Sequence, residues 1–286
     1  MLQDKLLTLE SRFREEIARL GFVESGTLIG RPVQERALDR VLDLDHVLVV
    51  RAMELGKYHK IEDVLENIKD GTSSGLDVQY AIFDGPMKPH SDKENEVFFH
   101  IILHSPETYT SSPLLLCKNS WQSEKQFLGK SLDEYQRFPE GVTKKMLFES
   151  GLGLDSLLKM VSSNSSLYCG WEQSGNLIQP KVGEKEFNEI DERLELYFYS
   201  ILRAASNTTR LFIGDNKEGI DLKMCANFQR TCGDFKYSRM PREIFVNKRL
   251  LRNKVLILSQ GFVDKYQQKA MDFLLNLREY VEKRTS

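Results

Sequence analysis

The chain has 286 residues, 41% of them hydrophobic and 29% charged, with a formal net charge of −2. This is an ordinary globular composition, long enough for one large domain or two modest ones, each with a real core. A balance so close to neutral gives no overall field to draw in nucleic acid or a membrane surface.

The first residues, "MLQDKLLTLESRFREEIARLGF", place Leu6, Leu7, Phe13, Ile17 and Leu20 at helical spacing. That predicts an amphipathic helix over 3–20, too charged to serve as a signal peptide. Glu35 to Val41 reads as a short helix or turn, and Leu44 to Val50 as a strand. A second helix is expected over 60–69, where Ile61, Val64, Leu65 and Ile68 form one stripe. "DGTSSG" ends it. Two strands follow, "LDVQYAIFD" (76–84) and "EVFFHIILH" (96–104), with a polar loop between them. Strand, helix and two strands predict an α/β (α+β) core on a mixed sheet.

After about residue 105 the composition changes. "SPETYTSSP" is a loop, and from Lys144 the pattern is mostly helical. The clearest helices are 187–205 and about 261–283. The expected division is a catalytic-type domain over 1–120 and a mostly helical domain over 121–286. No apolar run approaches a membrane span. Cys117, Cys169, Cys225 and Cys232 form no Cys-x-x-Cys pair. They argue against a zinc site or disulfide framework and agree with a reducing cytoplasm.

Asp43 and Asp45 flank Leu44 at the start of the first strand. Alternate residues share a face, so the two carboxylates point the same way, within roughly 7 Å. Like charges so placed need solvent or a cation between them. Magnesium suits the pair, because it takes hard oxygen ligands and leaves positions for phosphates, and manganese is its natural substitute. Asp77 opens a later strand. If that strand neighbours the first, all three carboxylates converge as a two-metal phosphoryl-transfer centre requires. Each aspartate taken alone also reads as a solvated strand-end residue.

The stretch "LIGRPVQERALDRVLDLDHVLVV" resembles the signature of the DNA-polymerase-β-like nucleotidyltransferase superfamily. That signature is a hydrophobic residue, Gly, then Gly or Ser, a spacer, and Asp-hydrophobic-Asp/Glu entering a strand. The match runs from Ile29 and Gly30 to Asp43-Leu44-Asp45, with Asp77 at the third carboxylate position. The resemblance covers about the first 105 residues in element order, and the helical remainder is similar in outline to the acceptor-binding bundles of antibiotic nucleotidyltransferases. It implies Asp43, Asp45 and Asp77 as metal ligands and catalytic residues, with Gly30 and Arg31 on the nucleotide phosphates. Arg31 stands where the family has a small residue. Its guanidinium can bind phosphate directly, while Pro32 stiffens the turn and removes an N–H. Arg36 and Arg40 either meet the triphosphate or are solvated helix charges.

The resemblance therefore implies a magnesium-dependent, cytoplasmic enzyme moving a nucleoside monophosphate from a nucleoside triphosphate to a hydroxyl acceptor. A small-molecule acceptor leads and an RNA end is the alternative. The rival from another class is a catalytically inactive nucleotide-binding module, motivated by Arg31 and Pro32. His100 and His104 share a face of their strand and either approach the substrate, one of them as a general base, or are half-buried sheet residues. Asp84 reads as a turn residue before Gly85-Pro86. Residues 228–254 interleave basic side chains with Phe228, Phe235, Tyr237 and Phe245. They suit a nucleic-acid backbone and stacked bases, or a charged surface over core aromatics, the reading favoured here. The sequence leaves the oligomeric state open.

Overall fold

The computed structural model describes residues 2–29, 42–70, 76–85, 96–114, 125–136, 141–214, 220–252 and 254–285, with backbone alone at 2, 3, 42, 43 and 252. The chain is mixed α/β, and its contacts divide it into two compact units. The first comprises Met1–Ser112, Trp121–Arg137 and Tyr168–Gly183. The second comprises Pro113–Ser120, Phe138–Leu167 and Glu184–Ser286. No helix among the described residues is long and apolar enough to cross a membrane.

The first unit is built on helix α1 (Leu2–Arg19), strands β1 (Val23–Ile29) and β2 (Leu42–Val50), and helix α2 (Leu55–Asp70). Strands β3 (Asp77–Ile82) and β4 (Glu96–His104), helix α3 (Pro106–Ser111) and strand β5 (Lys125–Gly129) follow. The sheet order is β3-β4-β2-β1-β5. β2 and β3 both run parallel to β4, while β1 runs antiparallel to β2 and to β5. This is the expected mixed sheet, with two strands, β1 and β5, that local periodicity did not announce.

One face of the sheet carries the apolar core. Leu44 and Leu48 of β2, Val78 of β3, and Val97, Phe99, Ile101 and Leu103 of β4 pack with Leu6, Leu9, Phe13 and Ile17 of α1. Ile61, Val64, Leu65 and Ile68 of α2 close the same cluster. Parallel strands covered on both faces read as continuous apolar runs, and β4 is buried at every position.

A polar group sits inside this core. His46 is fully buried, with its ring 4.6 Å from Phe13 and 5.9 Å from Phe99. Its Nε2 lies 3.6 Å from Glu10 Oε1, and Glu10 also pairs with Arg14. Burial pushes the imidazole below its ordinary value, against the pull of the Glu10 carboxylate. Burial alone would raise Glu10, but His46 and Arg14 together hold it below the usual carboxylate range.

The second unit gathers α4 (Lys144–Glu149), α5 (Leu154–Ser163), α6 (Ile190–Ile213), α7 (Leu222–Thr231), α8 (Met240–Arg252) and α9 (Gln260–Thr285). α6 is its axis and touches each of the others. It is buried all round over most of its length, and its buried residues include Glu195, Asn207 and Arg210 among the apolar ones. Strands β6 (Ser165–Ser174) and β7 (Leu177–Glu186) form a separate two-stranded sheet. That hairpin departs from the mostly helical expectation after Lys144. Gly175 turns it at a φ of 61°, a left-handed conformation that glycine adopts without strain.

The depressed His46 value has a consequence for stability. The unfolded chain takes up a proton near pH 6.5, and the folded chain resists it. Stability is therefore present above that pH and lost as pH falls through the window below it. Urea unfolding followed from pH 7.5 to 5.5 is expected to show a falling midpoint. His46→Phe, which keeps a ring between Phe13 and Phe99, should flatten the fall; parallel curves would remove His46 as its source.

Candidate functional site

The aspartate pair opens β2, with β1 on one side and β4 on the other. The parallel register sets Asp43 beside Phe98 and Asp45 beside His100, and the antiparallel register sets Ile29 beside Asp45. Registered neighbours share a face, so Asp45 and His100 point away from the α1–α2 core. The outcome is a direct contact: His100 Nδ1 lies 2.9 Å from Asp45 Oδ1. His100 Nε2 lies 2.9 Å from the carbonyl oxygen of Phe83, just past β3. The Phe83 ring packs 4.6 Å from the imidazole.

A carbonyl oxygen only accepts, so the contact to Phe83 is one in which Nε2 donates. The His100 side chain is 2% exposed and that of Asp45 is 14%. The histidine is sealed, and the aspartate is partly exposed.

The same face of β4 carries a second pair. His104 Nε2 lies 3.2 Å from Asp84 Oδ2, and both side chains are 3% exposed. Ser112 Oγ donates to Asp84 Oδ2 at 3.1 Å, and His104 Nδ1 lies 3.3 Å from Thr108 Oγ1. Backbone hydrogen bonds in both directions join Asp84 to Cys169. Asp84 is thus a buried partner of His104. The spacing of His100 and His104 places them on one face from sequence alone. Their partners depend on which strands are neighbours, and that is not local information.

Asp77 stands apart. β4 separates its strand from β2, so the adjacency that would bring three carboxylates together is not the one the sheet adopts. Asp45 and Ala81 both align with His100, which leaves Asp77 four residues back along β3. At sheet spacings that is about 13 Å along the strands and about 10 Å across them. Asp77 Oδ1 accepts a hydrogen bond from Gln79. Glu96, level with Asp77 and buried at the start of β4, is the carboxylate on the strand beside β2. It was not singled out in the sequence, since only the strand order gives it meaning.

Gly30, Arg31, Arg36 and Arg40 lie outside the described residues, and Asp43 is described by its backbone alone. Among the described residues no group of three His, Cys, Asp or Glu gathers as a metal cage. The donor chemistry at the start of β2 nonetheless fits a magnesium ion in one respect. Asp45 is a hard carboxylate in the first half of β2, partly exposed, and hydrogen-bonded to His100 as ligating carboxylates are to their neighbours.

In the second unit, Phe228, Phe235 and Phe245 of the basic 228–254 segment are buried. Phe235 packs 5.6 Å from Phe273 and 5.2 Å from Tyr280. Three of the four interleaved aromatics thus serve the bundle interior, with Lys236, Arg239 and Arg242 exposed around them. No family model, curated protein or solved structure matches this chain.

The Asp45–His100 contact is expected to couple the two residues energetically. A double-mutant cycle with Asp45→Ala and His100→Leu, read by urea unfolding, should give an interaction of about 0.5–3 kcal/mol. Additive losses would mean that the hydrogen bond carries no net energy.

Proposed function

We propose that this chain is a magnesium-dependent nucleotidyltransferase that moves a nucleoside monophosphate from a nucleoside triphosphate to a hydroxyl acceptor. The observation that carries this reading is the Asp43-Leu44-Asp45 start of β2, set in the interior of a mixed sheet with the Asp45 carboxylate held by His100. Asp43 and Asp45 would hold the ion, with manganese as a substitute. Bound there, magnesium would offset charge on the triphosphate and lower the cost of ionising the acceptor hydroxyl. The chain's own part is to hold Asp45 in one orientation and to set the acceptor against it. Gly30, Arg31, Arg36 and Arg40 would meet the phosphates.

The acceptor reading favours a small hydroxyl compound over an RNA end, because the aromatics of 228–254 are used inside the bundle. The second reading is a nucleotide-binding module without turnover. The distance of Asp77 from Asp45 favours it, since the third carboxylate is then lacking from that position.

Incubation of the whole chain with each labelled triphosphate, magnesium, total RNA and a panel of hydroxyl compounds tests these alternatives. Label transferred to a small compound is the expected result. Asp43→Ala should lower transfer at least about a hundredfold, the scale seen when one charge-stabilising group is lost. Transfer at the wild-type rate by that variant would end the assignment. Nucleotide binding without transfer would favour the inactive module. Reversing Lys236, Arg239 and Arg242 to glutamate should leave a small acceptor untouched, whereas an RNA acceptor would weaken and lose part of its salt dependence.

A further inference from the structure

We propose that the loop between α8 and α9, Val255 to Leu258, is a surface anchor that sets its apolar side chains into an anionic lipid layer. The inference concerns the second unit and is independent of the reaction proposed for the first.

Connecting loops are ordinarily polar, and a run of exposed apolar residues is a fault unless it has a use. This loop reads Val-Leu-Ile-Leu. Ile257 is 92% exposed and Val255 63%, while Leu256 and Leu258 are half-buried. Both ends of the loop are pinned. Val255 N donates to Leu250 O and Lys254 N to Leu251 O, each at 2.9 Å, with Lys254 at a φ of 55°. Those two bonds around a left-handed residue are a complete helix C-terminal cap. On the far side, Ser259 O accepts from the N–H groups of Phe262 and Val263, and Ser259 Oγ accepts from Phe262 N at 3.3 Å. Two capped helix ends thus hold the four apolar residues in place, which lowers the ordering cost of binding.

Charge selects the occupant. From Ile244 to Val263 the chain has Lys248, Arg249, Arg252 and Lys254 and no acid. Lys248 is committed to Glu195 at 3.2 Å. Arg249 and Lys254 are exposed. The acids that flank the stretch are engaged, Glu243 with Lys269 and Asp264 with Gln260. A chain near neutrality overall therefore carries cations around an apolar tip. Anionic headgroups above an acyl interior complement that arrangement. Other occupants suit it less. A second copy of the chain would set cations against cations. A stable protein partner covers about 800 Å² on each side, and a side chain as exposed as Ile257 has little protein beside it to offer. Nucleic acid stacks on aromatic rings, and this tip is aliphatic. Binding of this kind lies in the plane of the interface and needs no membrane-crossing helix.

The test is flotation of the full chain with phosphatidylcholine vesicles, with and without about 30% phosphatidylserine, at low and high salt. The chain should bind the anionic vesicles at least about tenfold more tightly than the neutral ones, and lose that preference as salt rises. Val255→Ser combined with Ile257→Ser should weaken anionic binding about tenfold or more while leaving the melting temperature unchanged. Arg249→Glu should reduce the preference for anionic vesicles. In Ile257→Trp, the added fluorescence over the wild-type chain should shift to the blue on anionic vesicles alone. No binding to anionic vesicles at low salt would overturn the proposal, as would undiminished binding by the double serine variant. A wild-type dimer that the double serine variant dissolves would overturn it too, and give the tip to a second copy.

Discussion

The first unit depends on one constraint: β4 is buried along its whole length, with a parallel neighbour on each side. Its backbone is satisfied by the two ladders. Its side chains have no water to turn to, so each polar one must find a partner inside the protein. His100 and His104 meet that demand with Asp45 and Asp84. The aspartates come from the segments that flank β4, one in β2 and the other just past β3. A strand of apolar residues alone would have packed as well and specified less, since a histidine–carboxylate pair fixes which residue stands beside which.

The elements that follow their own periodicity were legible in the sequence. α1, α2 and α9 carry apolar stripes, and β2, β3 and β4 are apolar runs between turn signals. β1 was not, because "VESGTLI" mixes Glu, Ser and Gly into a strand whose burial is conferred by β2 and β5. The β6–β7 hairpin was missed because it is polar and largely exposed, so neither helical nor strand periodicity marks it.

The candidate site was legible in the same partial way. Asp43 and Asp45 drew notice through local spacing, which a single strand settles. Asp77 was joined to them on the assumption that consecutive strands are neighbours, and the chain instead lays β4 between them. The importance of His100 follows from that same insertion. It occupies the registered position beside Asp45, so that carboxylate meets an imidazole across the ladder. Strand order is decided by loop paths and by which apolar faces cover which, and no window of a few residues contains it.

Two consecutive residues of β2 serve opposite sides of the sheet. Asp45 meets His100 on one side, while His46 meets Glu10 of α1 on the other. A strand alternates strictly, so these two contacts are locked in phase. One residue inserted between Gly30 and Asp45, if the strand slid to absorb it, would turn Asp45 toward Phe13 and Phe99 and send His46 to the opposite face. Length variation in that connection is therefore restricted to changes that leave β2 in step. The segment from Leu42 to Val50 behaves as a reading frame, in which a slip of one garbles both faces at once.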